Sequence, residues 1–101
     1  YEGNLLVRNT KIISEDFKIY DLFPNPFNHS TTIKYYTQQD QTVTIQNFDI
    51  FGRELQNKKS IFIPAGNRQL KWDLKGYPSG VYFLKISTPS STHLKKMVLV
   101  K

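Results

Sequence analysis

The chain contains no cysteine, so neither a disulfide nor a thiolate metal site can hold it together, and its apolar core must suffice. That absence neither requires nor excludes an oxidising compartment. No apolar run approaches the ~20 residues of a membrane helix, and short soluble-looking strands of this kind cannot enclose a membrane barrel. No membrane-spanning segment is therefore expected. The 3.6-residue period of an amphipathic helix is missing too. Acidic residues are scarce, eight against fourteen lysines and arginines. They are scattered, with no carboxylate pair recurring at catalytic spacing and no run of oxygen ligands such as a calcium loop needs. His29 and His93 are far apart in sequence with no third ligand to join them, so both are expected to be solvent-exposed and no metal site is expected. Serines are plentiful, but none sits in a G-x-S-x-G turn. Catalytic, cofactor-binding and metal-binding residues are accordingly assigned to none. The chain opens on Tyr1 without a charged-plus-apolar leader, and it reads as a processed or excised piece of a larger protein.

What is present is enough chain for one domain: 101 residues with 39% hydrophobic content, able to bury roughly two thirds of the surface the unfolded chain exposes. The net charge of +6 and pI near 9.6 would suit an anionic partner. The lysines, however, are spread along the strands instead of gathered in one patch, which argues against nucleic acid. They read as solvated positions whose aliphatic stems cover apolar neighbours.

Period-two alternation with turn signals between recurs from residue 17 onward, and it predicts an all-β fold. "FKIYDLF" places Phe17, Ile19 and Asp21 on one side; "TTIKYYT" sets Ile33 and Tyr35 against Lys34. "QTVTIQNFDIF" carries Val43, Ile45 and Asn47 on one face and then reverses phase to Phe48 and Ile50, which predicts a bulge or bend near Asn47. "DIFGRE" is a hairpin signal closed at Gly52, the stretch Glu54 to Ile63 is expected to pair only in part, and "PAGN" turns at Gly66. "RQLKWD" brings in Leu70 and Trp72, the latter as the centre of the core. "KGYPSG" turns into "VYFLKI", whose apolar residues on both faces predict a central strand covered on two sides. "THLKKMVLVK" offers Leu94, Met97 and Leu99 for burial. Gly52, Gly66 and Gly80 are expected at positive φ. Six or seven strands so spaced predict an immunoglobulin-like antiparallel β-sandwich of about seven strands, with a small open barrel as the alternative.

"LFPNPFNHS" at 22–30 needs a separate account. Pro24 and Pro26 fix their own φ and push Phe23 and Asn25 toward extended conformations, so an extended, polyproline-like arm is predicted over 23–27, lying along an edge or outside the ladder. Asn28 and Ser30 are then expected to make an Asx or ST turn that launches a strand from Thr31. Asn28-His29-Ser30 also fits the N-x-[ST] glycosylation pattern, which is short enough to arise often by chance. Tyr36, Tyr77, Tyr82 and Phe83 could form a sugar-binding platform; the plainer reading is that they pack a sandwich.

Taken in order, four pieces resemble a known family: "FPNPFNHSTTIKY" at 23–35, "VTIQNFDIFGREL" at 43–55, "IPAGNRQLKWDLKGYPSGVYFLKI" at 63–86 and the basic end "KKMVLVK" at 95–101. They are similar to the C-terminal sorting domain of type IX secretion cargo, type A, also called the Por secretion system C-terminal signal domain, of Gram-negative bacteria. The resemblance implies a seven-strand sandwich at the end of a secreted protein, recognised by the outer-membrane translocon. It further implies cleavage by a sortase-like peptidase and surface attachment or release of an upstream cargo domain, after passage through the periplasm. Asn47 departs from the aliphatic residue usual in that phase. Residues 1–16 are expected to be a linker or the end of an upstream region and residues 17–101 the sorting domain, its arm holding the incoming linker off the ladder with Phe23 and Phe27 as anchors. The recognition candidates are Pro24, Asn25, Pro26 and Phe27 of the arm, Gly52 and Gly80 of the turns, and Lys95, Lys96 and Lys101 of the basic end. A carbohydrate-binding or adhesive module is the competing function.

Overall fold

A computed structural model describes residues 16–56 and 58–101. The expected linker, residues 1–16, thus lies outside the described residues except for Asp16. Seven strands follow in order: β1 (Phe17–Phe23), β2 (Ser30–Thr37), β3 (Gln41–Asp49), β4 (Lys59–Ile63), β5 (Gly66–Asp73), β6 (Gly80–Ser87) and β7 (Thr92–Leu99). They form two antiparallel sheets, β1-β2-β5 and β4-β3-β6-β7, whose inner faces meet as an immunoglobulin-like β-sandwich. The fold is all-β as the alternation predicts, and the described residues contain no helix.

Alternation explains the core. From the first sheet Phe17, Ile19, Ile33 and Tyr35 point inward; from the second Val43, Ile45, Leu84, Ile86 and Met97 meet them, all buried. Burying side chains of this size is worth about 1.5–3 kcal/mol each before the entropy of ordering them. At one end the chain enters at Phe17, which stacks on Tyr35 (centroids 5.6 Å) and against the His93 ring (5.1 Å). His93 is therefore half-buried and held by Ser91 at 2.9 Å, not solvent-exposed as expected; His29 is exposed. The opposite end, called the tip below, gathers residues 24–29, 50–53 and 74–79 with the last residues of the chain.

Several strand expectations are corrected. The register of β1 against β2 shifts between Ile19 and Asp21, so Leu22 and not Asp21 turns into the core; an extra residue in one strand moves all later side chains to the other face. β3 has no bulge at Asn47, because its register against β6 runs unbroken from Thr44 to Asp49. Asn47 stays in phase with Val43 and Ile45, 1% exposed, and its polarity is met in place. The Trp72 indole N–H donates to its Oδ1 at 2.8 Å and its Nδ2 donates to Gln56 at 3.1 Å. Satisfying both halves of the amide removes the need to bend the strand away from the core. β6 is central but covered on one side: Tyr82, Leu84 and Ile86 are buried while Val81, Phe83 and Lys85 are only half-buried on the outer face. In β7, Met97 and Leu99 are buried as expected, but Leu94 is 60% exposed because His93 occupies the inward phase.

Candidate recognition surface

The Pro-Asn-Pro-Phe arm is not an extended spacer ahead of the sandwich. It lies between β1 and β2, with the peptide bonds before Pro24 and Pro26 both cis. The arm instead turns against the free edge of β7. Phe27 makes a parallel bridge to Leu99: its N–H donates to the Val98 carbonyl at 2.9 Å and its carbonyl accepts from the Val100 N–H at 2.8 Å. Asn25 continues this pattern with its side chain, donating from Nδ2 to the Lys96 carbonyl at 3.1 Å and accepting from the Val98 N–H at 2.9 Å. A carboxamide has the donor and acceptor of a peptide unit, so it closes a sheet edge where the adjoining prolines have no N–H to offer. Of the two expected anchors only Phe27 serves, 3% exposed against 66% for Phe23. The turn is tied by Thr31, whose hydroxyl donates to the Pro24 carbonyl at 2.7 Å, and by the Leu74 N–H on the His29 carbonyl at 2.9 Å. The expected turn bonds from Asn28 and Ser30 are not what hold it.

Two turns sit beside the arm. In the first, Asp49 Oδ1 accepts from the N–H groups of Phe51 (2.9 Å) and Arg53 (3.0 Å), and Oδ2 accepts from the Arg53 guanidinium at 2.8 Å. Desolvation pushes the Asp49 carboxyl up, but these donors from Arg53 and Phe51 outweigh it and hold the group below its ordinary value. Gly52 closes the turn at φ +82°, its N–H on the Asp49 carbonyl at 3.0 Å. Gly66 is also at positive φ as expected, whereas Gly80 is not; Gly76 takes that conformation in its turn. The chain there reverses at Gly76, with the Tyr77 N–H bonded to the Leu74 carbonyl at 3.2 Å, so Gly80 is already strand, paired with Leu99. A Cβ on Gly80 would meet only the Tyr82 ring, at 3.8 Å. Gly52→Ala is accordingly expected to cost about 1–2 kcal/mol in denaturant unfolding, the left-handed penalty for a residue with Cβ, and Gly80→Ala less than ~0.5 kcal/mol. A larger loss at Gly80 than at Gly52 would refute the assignment of the two turns.

These pieces converge at the tip. Asp49, Phe51, Arg53, Tyr77, Pro78 and Gly80 line one open cleft, stiffened by the Tyr82 hydroxyl on the Pro78 carbonyl (2.6 Å) and the Tyr77 hydroxyl on the Leu55 carbonyl (3.0 Å). The Lys101 N–H donates to Ser79 at 3.0 Å. Of the sequence candidates, Pro24, Asn25, Pro26, Phe27, Gly52, Gly80 and Lys101 are thus brought to one end. Lys95 and Lys96 lie further along β7, reached through the Asn25 bond to Lys96. Among the described residues, four of the seven large exposed apolar side chains, Phe23, Ile50, Phe51 and Val100, are also here. Sequence reasoning overlooked Asp49 and Thr31, although an Asp three residues before a turn glycine is a readable side-chain cap. Among the described residues no cluster of His, Asp or Glu could hold a metal ion.

The family model for the secretion system C-terminal sorting domain matches residues 21–101. The chain belongs to this family. The match covers all four sequence pieces and every element from the end of β1 onward, so the gathered arm, turns and β7 are features of a sorting domain. Among solved structures, the fold is similar to that in the crystal structure of dimeric latent PorU from Porphyromonas gingivalis, with a TM-score of 0.62 and 24% identity. That likeness covers 93% of this chain and 10% of the PorU chain, and it is a likeness of fold. No curated protein matches the chain. As a type IX sorting domain it is associated with export and a secreted or cell-surface fate.

Proposed function

We propose that the chain is a non-enzymatic signal that directs an upstream cargo domain, in transit through the periplasm, to the type IX outer-membrane translocon. A sortase-like peptidase then cleaves it, and the cargo is attached at the cell surface or released. The observation that carries this reading is the family match over residues 21–101. The geometry is compatible with it: the chain enters the sandwich at Phe17, whereas the arm, the two turns and Lys101 collect at the tip, away from the entry point. A reader of the tip would not have to compete with the cargo. In this reading Pro24, Asn25, Pro26 and Phe27 shape the recognised surface, Gly52 and Gly80 set its turns, and Lys95, Lys96 and Lys101 supply its charge.

The carbohydrate-binding alternative is less well supported. Tyr82 is buried, Tyr77 and Phe83 are half-buried near the tip, and Tyr36 is on the other sheet against Lys18 and Asn67, so the four rings make no common platform. The deciding experiment fuses the whole chain behind a neutral reporter in a type IX host. The reporter is expected in the medium or on the surface, shortened by removal of the signal; retention in the periplasm, while a known signal exports the same reporter, refutes the proposal.

A further inference from the structure

β7 is only half covered by the arm. The arm bonds to the Lys96 carbonyl, both backbone groups of Val98 and the Val100 N–H, so the even-numbered residues of β7 turn their N–H and C=O to the open edge while the odd ones face β6. By the same alternation the Lys96 N–H and both groups of Leu94 face outward, and no described residue bonds them. The segment from Thr92 to Lys96 is a continuous open edge roughly 16 Å long, with Leu94, Lys95 and Lys96 exposed. It differs from the edge of β1, which a register shift interrupts, and from the edge of β5, which carries Asp73 beside Arg68 and Lys71.

We infer that this open half of β7 is a strand-addition site for an extended acidic segment of a partner protein. The inference rests on the sorting reading and adds the chemistry of the partner. The arm already demonstrates that the edge accepts a parallel chain, in the register Phe27 to Leu99. Charge selects the occupant. β6 and β7 contain Lys85, Lys95 and Lys96 and no Asp or Glu, and the ion pair found among the described residues is Asp49–Arg53, elsewhere. Lys96 and Lys85 project from the outer face, and a strand alternating carboxylate and aliphatic side chains turns all its carboxylates to that one face. A second copy would bring its own lysines to the same edge with no carboxylate of β7 to meet them, and lysines on an edge strand discourage self-pairing. Backbone bonds would supply affinity, and the lysines would supply selection and a salt-sensitive on-rate.

The test titrates the whole chain, labelled for amide NMR, with a short peptide alternating glutamate and valine. Shifts centred on the Leu94 and Lys96 amides are expected, lost when lysine replaces glutamate in the peptide. Leu94→Pro removes an outward N–H that no ladder bond uses, as edge strands tolerate, and is expected to weaken binding at least tenfold at unchanged melting temperature. Should that variant not fold, the Lys85→Gln/Lys96→Gln double variant decides, with the same tenfold loss expected at low salt. Unaltered binding by the folded variants, shifts centred on the tip, or preference for anionic vesicles over the peptide each overturns the inference. So does concentration-dependent self-association that Leu94→Pro abolishes, since it would seat a second copy there. In the export assay, normal export of the Leu94→Pro fusion overturns the edge site alone; failure of the unaltered fusion overturns the sorting reading alone, the peptide titration still deciding the edge.

Discussion

Trp72→Ala is expected to lower unfolding free energy by roughly 3–5 kcal/mol, the range for emptying a large aromatic site. Against a domain stability of about 5–15 kcal/mol, that is a large fraction of the total. Two physical losses combine. Trp72 is 6% exposed at the join of the two sheets, and its N–H is the donor for the buried Asn47 carbonyl oxygen at 2.8 Å. Removing the ring opens a cavity and also orphans a polar atom in the core, and a buried unsatisfied group costs about 1–3 kcal/mol by itself. Trp72→Phe separates the two, because it keeps most of the apolar volume and deletes the donor; a loss of about 1–3 kcal/mol is expected there. The companion change Asn47→Leu in the Trp72→Phe background should recover part of it, since replacing both partners by apolar groups removes the unpaired atom. Urea unfolding followed by circular dichroism measures all three. A loss below ~1 kcal/mol for Trp72→Ala would show that the indole is not a centre of the core.

The second large effect is expected at the arm. Phe27→Ala should cost roughly 3–5 kcal/mol, whereas Phe23→Ala, four residues earlier in the same Phe-Pro-Asn-Pro-Phe stretch, should stay within about 0.5 kcal/mol. The difference follows from exposure, 3% against 66%. Phe27 also holds the last strand, through its bonds to Val98 and Val100, so its loss should raise amide exchange at those two positions beyond the global change. Asn25→Ala removes two side-chain bonds to the same edge and should cost about 0.5–1.5 kcal/mol for each. Equal effects at Phe23 and Phe27, or unchanged exchange at Val98 and Val100, would contradict the clamping of β7 by the arm.

Both results bear on how the tip reaches its working shape. The basic end, "KKMVLVK", is an edge strand, and an edge strand presents a row of unpaired N–H and C=O groups unless something covers them. Asn25 and Phe27 provide that cover at Lys96–Val100, more than seventy residues away in sequence. Substitutions in the arm should therefore change export partly through the order of β7, and an export defect at Asn25 or Phe27 needs the exchange measurement beside it before it is read as lost contact with a partner.

The all-β class, the strand count and most inward positions can be read from the residues alone, because side chains alternate strictly along a strand and the turn residues here carry their own backbone preferences. Ile33 and Tyr35, Val43 and Ile45, Trp72, Met97 and Leu99 were legible for that reason, as were the turns at Gly52 and Gly66. The residues also identify the sorting family, through four motif pieces in a fixed order. Local pattern fails where a long-range partner changes the local answer. Asn47 looked like a bulge until the Trp72 N–H arrived from β5 to satisfy it. Leu94 looked buried until His93 took the inward phase against Phe17. Gly80 looked like a turn residue, but its pairing with Leu99 made it strand and moved the reversal to Gly76. The prolines fixed only their own φ; that their segment folds back onto the edge of β7 was decided by the carboxamide of Asn25 and the ring of Phe27 meeting a strand from the other end of the chain, a contact no periodicity encodes because its two halves are joined only by the packing of the two sheets.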